Sequence, residues 1–139
     1  MGNTGQWPAR GEIDIMEWFG RYFAPPASTN LNQVQSAVHN TNYYGPTSIN
    51  GNKSIDGLCT GYHSYQLHWT SGVLVMGVDG IEVFRYVKPA GAGVADWPFD
   101  QQAQLILNVA VGGNLGGSVD VAQLPNMTMR VDWVKVWQP

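Results

Sequence analysis

The sequence predicts an all-β fold, a sandwich of short antiparallel strands. Three observations carry that expectation. Charged residues make up only 12% of the chain, about half the usual ~25%, which excludes a charge-laced coiled coil or a disordered charged tail. Glycine (17), tryptophan (6) and tyrosine (6) are abundant, and aromatic and β-branched residues favour pleated, half-buried surfaces. Short alternating or apolar runs are separated by Gly/Pro/Asn clusters, the punctuation of a strand-rich chain. At 139 residues, one domain is the natural count.

The elements follow in order. Glu12–Phe19 reads as a strand. Gly20–Asn32 holds Pro25-Pro26 among Ser, Thr and Asn, and reads as a loop. Val34–His39 is a second strand, and Tyr43–Gly57 a long polar loop. Tyr62–Thr70 alternates as a strand. The clearest local signal is a hairpin: Val73–Val78 and Ile81–Val87 flank Asp79-Gly80, and Asp-Gly supplies the positive φ angles of a type I′ turn. Lys88–Ala95 is a Gly/Ala/Pro loop. Leu105–Val111 is a continuous apolar run, as expected of a strand buried on both faces. Met127–Trp137 alternates and reads as a final strand. Trp69, Trp133 and Trp137 fall in alternating runs and are expected in the core or on a sheet face.

Net charge is −3 and the isoelectric point near 5.4. The seven cations are scattered, whereas nucleic acid asks for a basic stripe. No apolar run approaches a membrane span. Cys59, the single cysteine, excludes an internal disulfide framework. The first six residues are polar and show no signal-peptide pattern.

Three of the ten acids fall within six residues, Glu12-Ile13-Asp14-Ile15-Met16-Glu17. Side chains alternate along a strand, so Glu12 and Asp14 share a face. Strict alternation sends Glu17 to the other one. A β-bulge near Ile15-Met16 returns it to the acid face. A retaining glycosidase uses two carboxyl groups, one attacking the anomeric carbon and one protonating the leaving oxygen. Crowded like charges raise one pKa, as the acid requires. By itself an E-x-D pattern more often marks a solvated strand face. Here Arg10 is the only nearby cation, and three acids on one face repel. A metal cage is the other reading, and it lacks a histidine nearby in the sequence.

These residues resemble glycoside hydrolase family 16. Trp7-Pro8-Ala9-Arg10-Gly11 followed by Glu12–Glu17 is similar to the active-site strand of its laminarinase-like, endo-β-1,3-glucanase branch, which carries the extra residue (Met16). Downstream, Tyr62–Trp69, Val78-Asp79-Gly80, Trp97–Gln101, Leu105–Asn114 and Met129–Trp137 resemble family segments in the same order. Two departures stand out: Gln102-Ala103-Gln104 where the family has Pro and two aromatics, and His68 in place of a common Glu.

The resemblance implies a concanavalin-like β-jelly-roll sandwich, N-terminally truncated. Residues 1–139 would be the C-terminal part of a single catalytic domain, since such sandwiches run ~200–250 residues. It implies Glu12 as nucleophile, Asp14 as electrostatic helper and Glu17 as acid/base. Trp7, Trp18, His39, Asn108 and Asn114 would bind substrate. Asp132 would help hold a structural calcium, and no cofactor serves catalysis. The expected partner is a β-glucan polysaccharide, with no nucleic acid and no membrane. The expected state is a secreted monomer. A truncated jelly roll leaves sheet edges uncovered, so the chain alone is expected to be unstable or inactive. Two alternatives stand beside the enzyme: a non-catalytic carbohydrate-binding jelly roll, and an inactive fragment of the enzyme.

Overall fold

The computed structural model describes residues 1–19, 31–113 and 118–138. The chain divides into two compact units, Met1–Leu105 and Ile106–Pro139.

The first unit is two antiparallel sheets of three strands, with strand orders β1-β2-β3 and β4-β5-β6. The strands are β1 (Glu12–Glu17), β2 (Gln33–His39), β3 (Ile49–Ser54), β4 (Tyr65–Trp69), β5 (Val73–Val78) and β6 (Ile81–Val87). The sheets face each other: β2 and β3 lie against β6, and β1 against β4 and β5. Alternation puts Val34, Ser36 and Val38 of β2 and Leu74, Met76 and Val78 of β5 out of solvent.

Two apolar clusters fill the space between the sheets. Val38, Leu74, Met76, Tyr86, Trp97 and Phe99 form one, with Ile13 and Leu67 packed on it. Val34, Ile55, Leu58 and Val78 form the other, with Met16 and Val83. Tyr86, Trp97 and Phe99 meet ring to ring at 5.2–6.4 Å, the range in which aromatic pairs attract beyond simple burial.

The Asp79-Gly80 hairpin is as predicted. Val78 pairs with Ile81, and Asp79 and Gly80 take φ of 51° and 79°. Asp79 also accepts from the Ser64 amide at 2.8 Å and contacts His63 Nδ1 at 2.6 Å, tying the chain entering β4 to the turn.

Three sequence expectations need correction. The polar stretch Tyr43–Gly57 is not all loop, because Ile49–Ser54 forms β3. Its Asn, Lys and Ser side chains hide the strand from a hydrophobicity reading. Its backbone pairs with β2 from Ile49↔Val38 to Ser54↔Gln33, and Gly51 lets the Phe84 ring approach to about 3 Å of where a Cβ would stand. Secondly, neither Leu105–Val111 nor Met127–Trp137 is a strand. A strand exists only where a neighbour takes up its N–H and C=O groups, and among the described residues neither segment has one. Thirdly, Trp133 and Trp137 are exposed rather than core.

The described residues of the second unit, taken by itself, include a short 3-10 helix, Val121–Asn126, capped by the Asp120 carboxylate on the Ala122 amide. Lys135 lies over the Trp133 ring at 4.9 Å. The loop expected at Gly20–Asn32 lies, except for its last two residues, outside the described residues, as does Asn114.

Candidate active site

β1 and the end of β2 build the site. The register runs Glu12↔His39, Ile13↔Val38, Asp14↔Ala37 and then Glu17↔Gln35. From Asp14 to Glu17 β1 advances three residues while β2 moves back two. One residue is therefore extra, which is the bulge the sequence predicts. Ser36, fully buried, donates its hydroxyl to the Ile15 carbonyl inside the bulge at 2.8 Å. The kinked backbone thus has a dedicated donor. Below the bulge, Ile13 and Met16 face the two apolar clusters. Glu12, Asp14 and Glu17 are left for the opposite face.

Gly11 starts the strand. Its φ is +75°, and an added Cβ would stand 2.7 Å from Pro98 Cγ. Only glycine fits both demands, and this fixes where Glu12 emerges.

Each acid has a distinct environment. Glu12 Oε2 accepts the Trp7 indole N–H at 2.6 Å. Asp14 Oδ2 lies 2.9 Å from His39 Nε2, and both side chains are largely buried. The contact is close but off-axis, because Asp14 Oδ2 has no well-directed donor among the described residues. On the other side of the ring, the Gly45 amide donates to His39 Nδ1 at 3.1 Å. That bond requires a lone pair on Nδ1, so the ring proton sits on Nε2, facing Asp14. Burial pulls the His39 pKa down, but the Asp14 contact and the fields of Asp14, Glu12 and Glu17 outweigh it, and the net direction is up.

Glu17 is the group whose chemistry is most altered. Its pKa is pushed up from 4.5 to about 7. Burial is the largest cause, followed by the Asp14 charge. A hydrogen bond from Gln35 and the nearby His39 pull the other way, and Glu12 adds a small further rise. Gln35 Nε2 donates to Glu17 Oε2 at 3.2 Å, fixing the carboxyl on its register partner. At neutral pH this group holds its proton about half the time.

His39 also corrects the sequence argument against a metal. Pairing across the sheet places a histidine directly opposite Glu12, and ligand atoms of Glu12, Asp14 and His39 lie within 4.8 Å of one another. Both ring nitrogens already have protein partners, however, so a cation would have to displace one of them.

Besides Gln35, two more residues outside the sequence-based set belong to the site. Ser36 supports the bulge, and Tyr44 meets the Trp7 ring edge-on at 5.5 Å. Ser36 is legible only once the bulge and the register are known. Tyr44 sits in a polar loop where nothing periodic marks it.

The remaining predicted residues are placed as follows. Trp18 does not join the carboxylates. Its indole N–H donates to the Leu31 carbonyl at 2.8 Å, and its ring lines a groove with Met16, Leu58, Cys59 and Tyr65. Asn108 and Asp132 are exposed within the second unit. Among the described residues, Asp132 joins no group of three acidic, histidine or cysteine side chains.

The arrangement offers one carboxylate held by an indole, a second carboxyl protonated near neutrality, and a third acid between them. Comparison with known proteins gives the chain a family and relatives. The family model described as Glycosyl hydrolases family 16 covers residues 1–135. The Beta-glucanase of Rhodothermus marinus is 34% identical over 97% of the chain, and the match spans 47% of that protein. The Keratan-sulfate endo-1,4-beta-galactosidase of Sphingobacterium multivorum is 31% identical over 96% of the chain and 30% of its own length. The solved laminarinase from Rhodothermus marinus superposes on 71% of the chain and 39% of its own length, with a TM-score of 0.57 and 28% identity. The chain thus spans about a third to a half of the length of these relatives.

Proposed function

The chain belongs to glycosyl hydrolases family 16, and on that premise we propose that it carries the catalytic strand of a retaining endo-β-1,3-glucanase. In this reading residues 1–139 are the C-terminal part of one secreted catalytic domain acting on β-glucan, with no cofactor in the chemistry. The observation that carries the proposal is the bulged strand, which gathers Glu12, Asp14 and Glu17 on one face and leaves Glu17 with a pKa of about 7.

The steps follow from the environments. Glu12, steadied by the Trp7 indole, attacks the anomeric carbon. The bond to the leaving oxygen breaks, and Glu17 delivers its proton there. The product is a glycosyl ester on Glu12, with Glu17 now ionised. Glu17 then takes a proton from water as the water oxygen attacks the same carbon. Glu12 departs as carboxylate, and two inversions give net retention. Asp14 acts at both stages: its charge helps keep the proton on Glu17, and His39 holds its own position.

β-1,3-Glucan is the proposed substrate because the Trp7–Trp18 segment resembles that branch and the similar structure from Rhodothermus marinus is a laminarinase. Relatives that act on different polysaccharides make the linkage the part to test. The experiment is reducing-sugar release from laminarin, mixed-linkage glucan and keratan sulfate by the full-length protein and its Glu12→Gln variant. The proposal expects release from laminarin above all, lost in Glu12→Gln while laminarin binding persists. Binding without hydrolysis in both proteins would favour a carbohydrate-binding role. Neither activity nor binding would favour an inactive fragment.

A further inference from the structure

We propose that Tyr44 forms, with Trp7, an aromatic corner that binds a sugar ring on the nucleophile's side of the scissile bond; the proposal rests on the hydrolase reading above. Tyr44 is 45% exposed and Trp7 43% exposed, yet they are not loose surface aromatics. Their rings meet at 80° with centroids 5.5 Å apart, so two apolar walls stand at nearly a right angle. One wall fits the C–H face of a pyranose and the other its edge.

The corner is connected to the chemistry by contact. Trp7 donates to Glu12 at 2.6 Å and lies 6.1 Å from the His39 ring. It therefore stands at the Glu12 end of the acid row. Glu17, which serves the leaving oxygen, is at the other end of β1. A sugar seated on Trp7 and Tyr44 belongs to the part of the substrate that becomes bonded to Glu12.

The loop carrying Tyr44 is built to stay still. The Tyr44 carbonyl accepts from both the Thr47 amide at 3.1 Å and the Thr47 hydroxyl at 2.9 Å. Asn40, fully buried, accepts from the Asn42 and Tyr43 amides and donates to the Asp96 carbonyl at 2.9 Å. Next to Tyr44, the Gly45 amide is bound to His39. A large exposed ring on a pre-ordered loop loses little freedom on binding, which is what a sugar platform needs. Its ring is not required by either apolar cluster.

The test compares Tyr44→Ala, Tyr44→Phe and the parent, as full-length proteins, on laminarin and on 4-nitrophenyl β-laminaribioside. The second substrate has sugars only on the nucleophile's side. The proposal expects Tyr44→Ala to raise KM about tenfold on both substrates, with the loss falling on KM rather than kcat, and Tyr44→Phe to restore it. The basic limb of the pH profile stays in place, because it belongs to Glu17, whose pKa is set by burial, Asp14, Gln35, His39 and Glu12 and not by Tyr44. An unchanged KM, a loss confined to laminarin, or a fall in kcat with a shifted pH limb would each overturn it. If the parent hydrolyses neither substrate, the hydrolase reading itself fails, and calorimetric binding of laminarihexaose decides. Weaker binding by Tyr44→Ala keeps the corner; equal binding, or none by the parent, removes it.

Discussion

Glu17 holds its proton because of its surroundings: a half-buried carboxyl beside the Asp14 charge. Two consequences follow for this residue. Hydrolysis needs Glu17 protonated in the free enzyme, so kcat/KM should fall about tenfold per pH unit above a pH of about 7. A profile measured on laminarin would show that limb, and Asp14→Asn, by removing one raising charge, should move it to lower pH. The second consequence concerns stability. The folded pKa lies above the unfolded value of 4.5, so the native state binds the proton more tightly. Stability therefore falls as pH rises from about 4.5 to about 7, and the cost is fully present above that. Glu17→Gln removes the cost. It should raise the free energy of urea unfolding at pH 8 by about 1 kcal/mol after allowing for solvent screening, leave it unchanged at pH 4, and abolish hydrolysis at both. At this scale the acids were legible in the sequence, since their spacing on a strand already places two of them together. The pKa was not, because it depends on Gln35, His39 and the depth of burial, which come from the partner strand.

The element that matters most is the bulged pair β1–β2. Ser36 donates to the carbonyl inside the bulge, and it is buried. Ser36→Ala leaves that carbonyl without its side-chain donor and should cost about 1–2 kcal/mol in urea unfolding. It should also lower kcat more than it raises KM, since Glu17 loses its fixed direction. Deleting Met16 tests the bulge from the other side. Removal of the extra residue restores strict alternation, so Glu17 stays on the acid face while an apolar contact to Val34, Leu58 and their neighbours is lost. The shortened variant should be less stable but retain measurable hydrolysis. A folded yet wholly inactive variant would show that bulge geometry, not facing alone, is what matters. The bulge and the Asp-Gly hairpin were readable because each rests on local chemistry. β3 was not, because its polar side chains carry no periodic signal and only its backbone pairing with β2 makes it a strand.

At the scale of the whole molecule, the two units differ in how their backbones are satisfied. In Met1–Leu105, two sheets enclose clusters built on Leu74, Met76, Val34 and Val38. In Ile106–Pro139, the described residues include one short 3-10 helix and no paired strand. Amide hydrogen exchange should therefore be slowest in β2 and β5, the central strands, and early across 106–113 and 127–138. Slow exchange in 127–138 would mean that this segment finds strand partners in solution. The periodicity of Met127–Trp137 speaks for a strand, and a period of two states only which side chains would share a face. Whether pairing occurs depends on a neighbour that no local pattern reports.

Retaining hydrolysis requires Glu12 to form a covalent bond to sugar. Incubating the full-length protein with a 2-deoxy-2-fluoro-β-laminaribiosyl fluoride slows the second step more than the first and lets the glycosyl ester accumulate. Peptide mass mapping of the labelled protein should place one added disaccharide on Glu12. A label on Glu17, or turnover with inversion and no label at all, would contradict it.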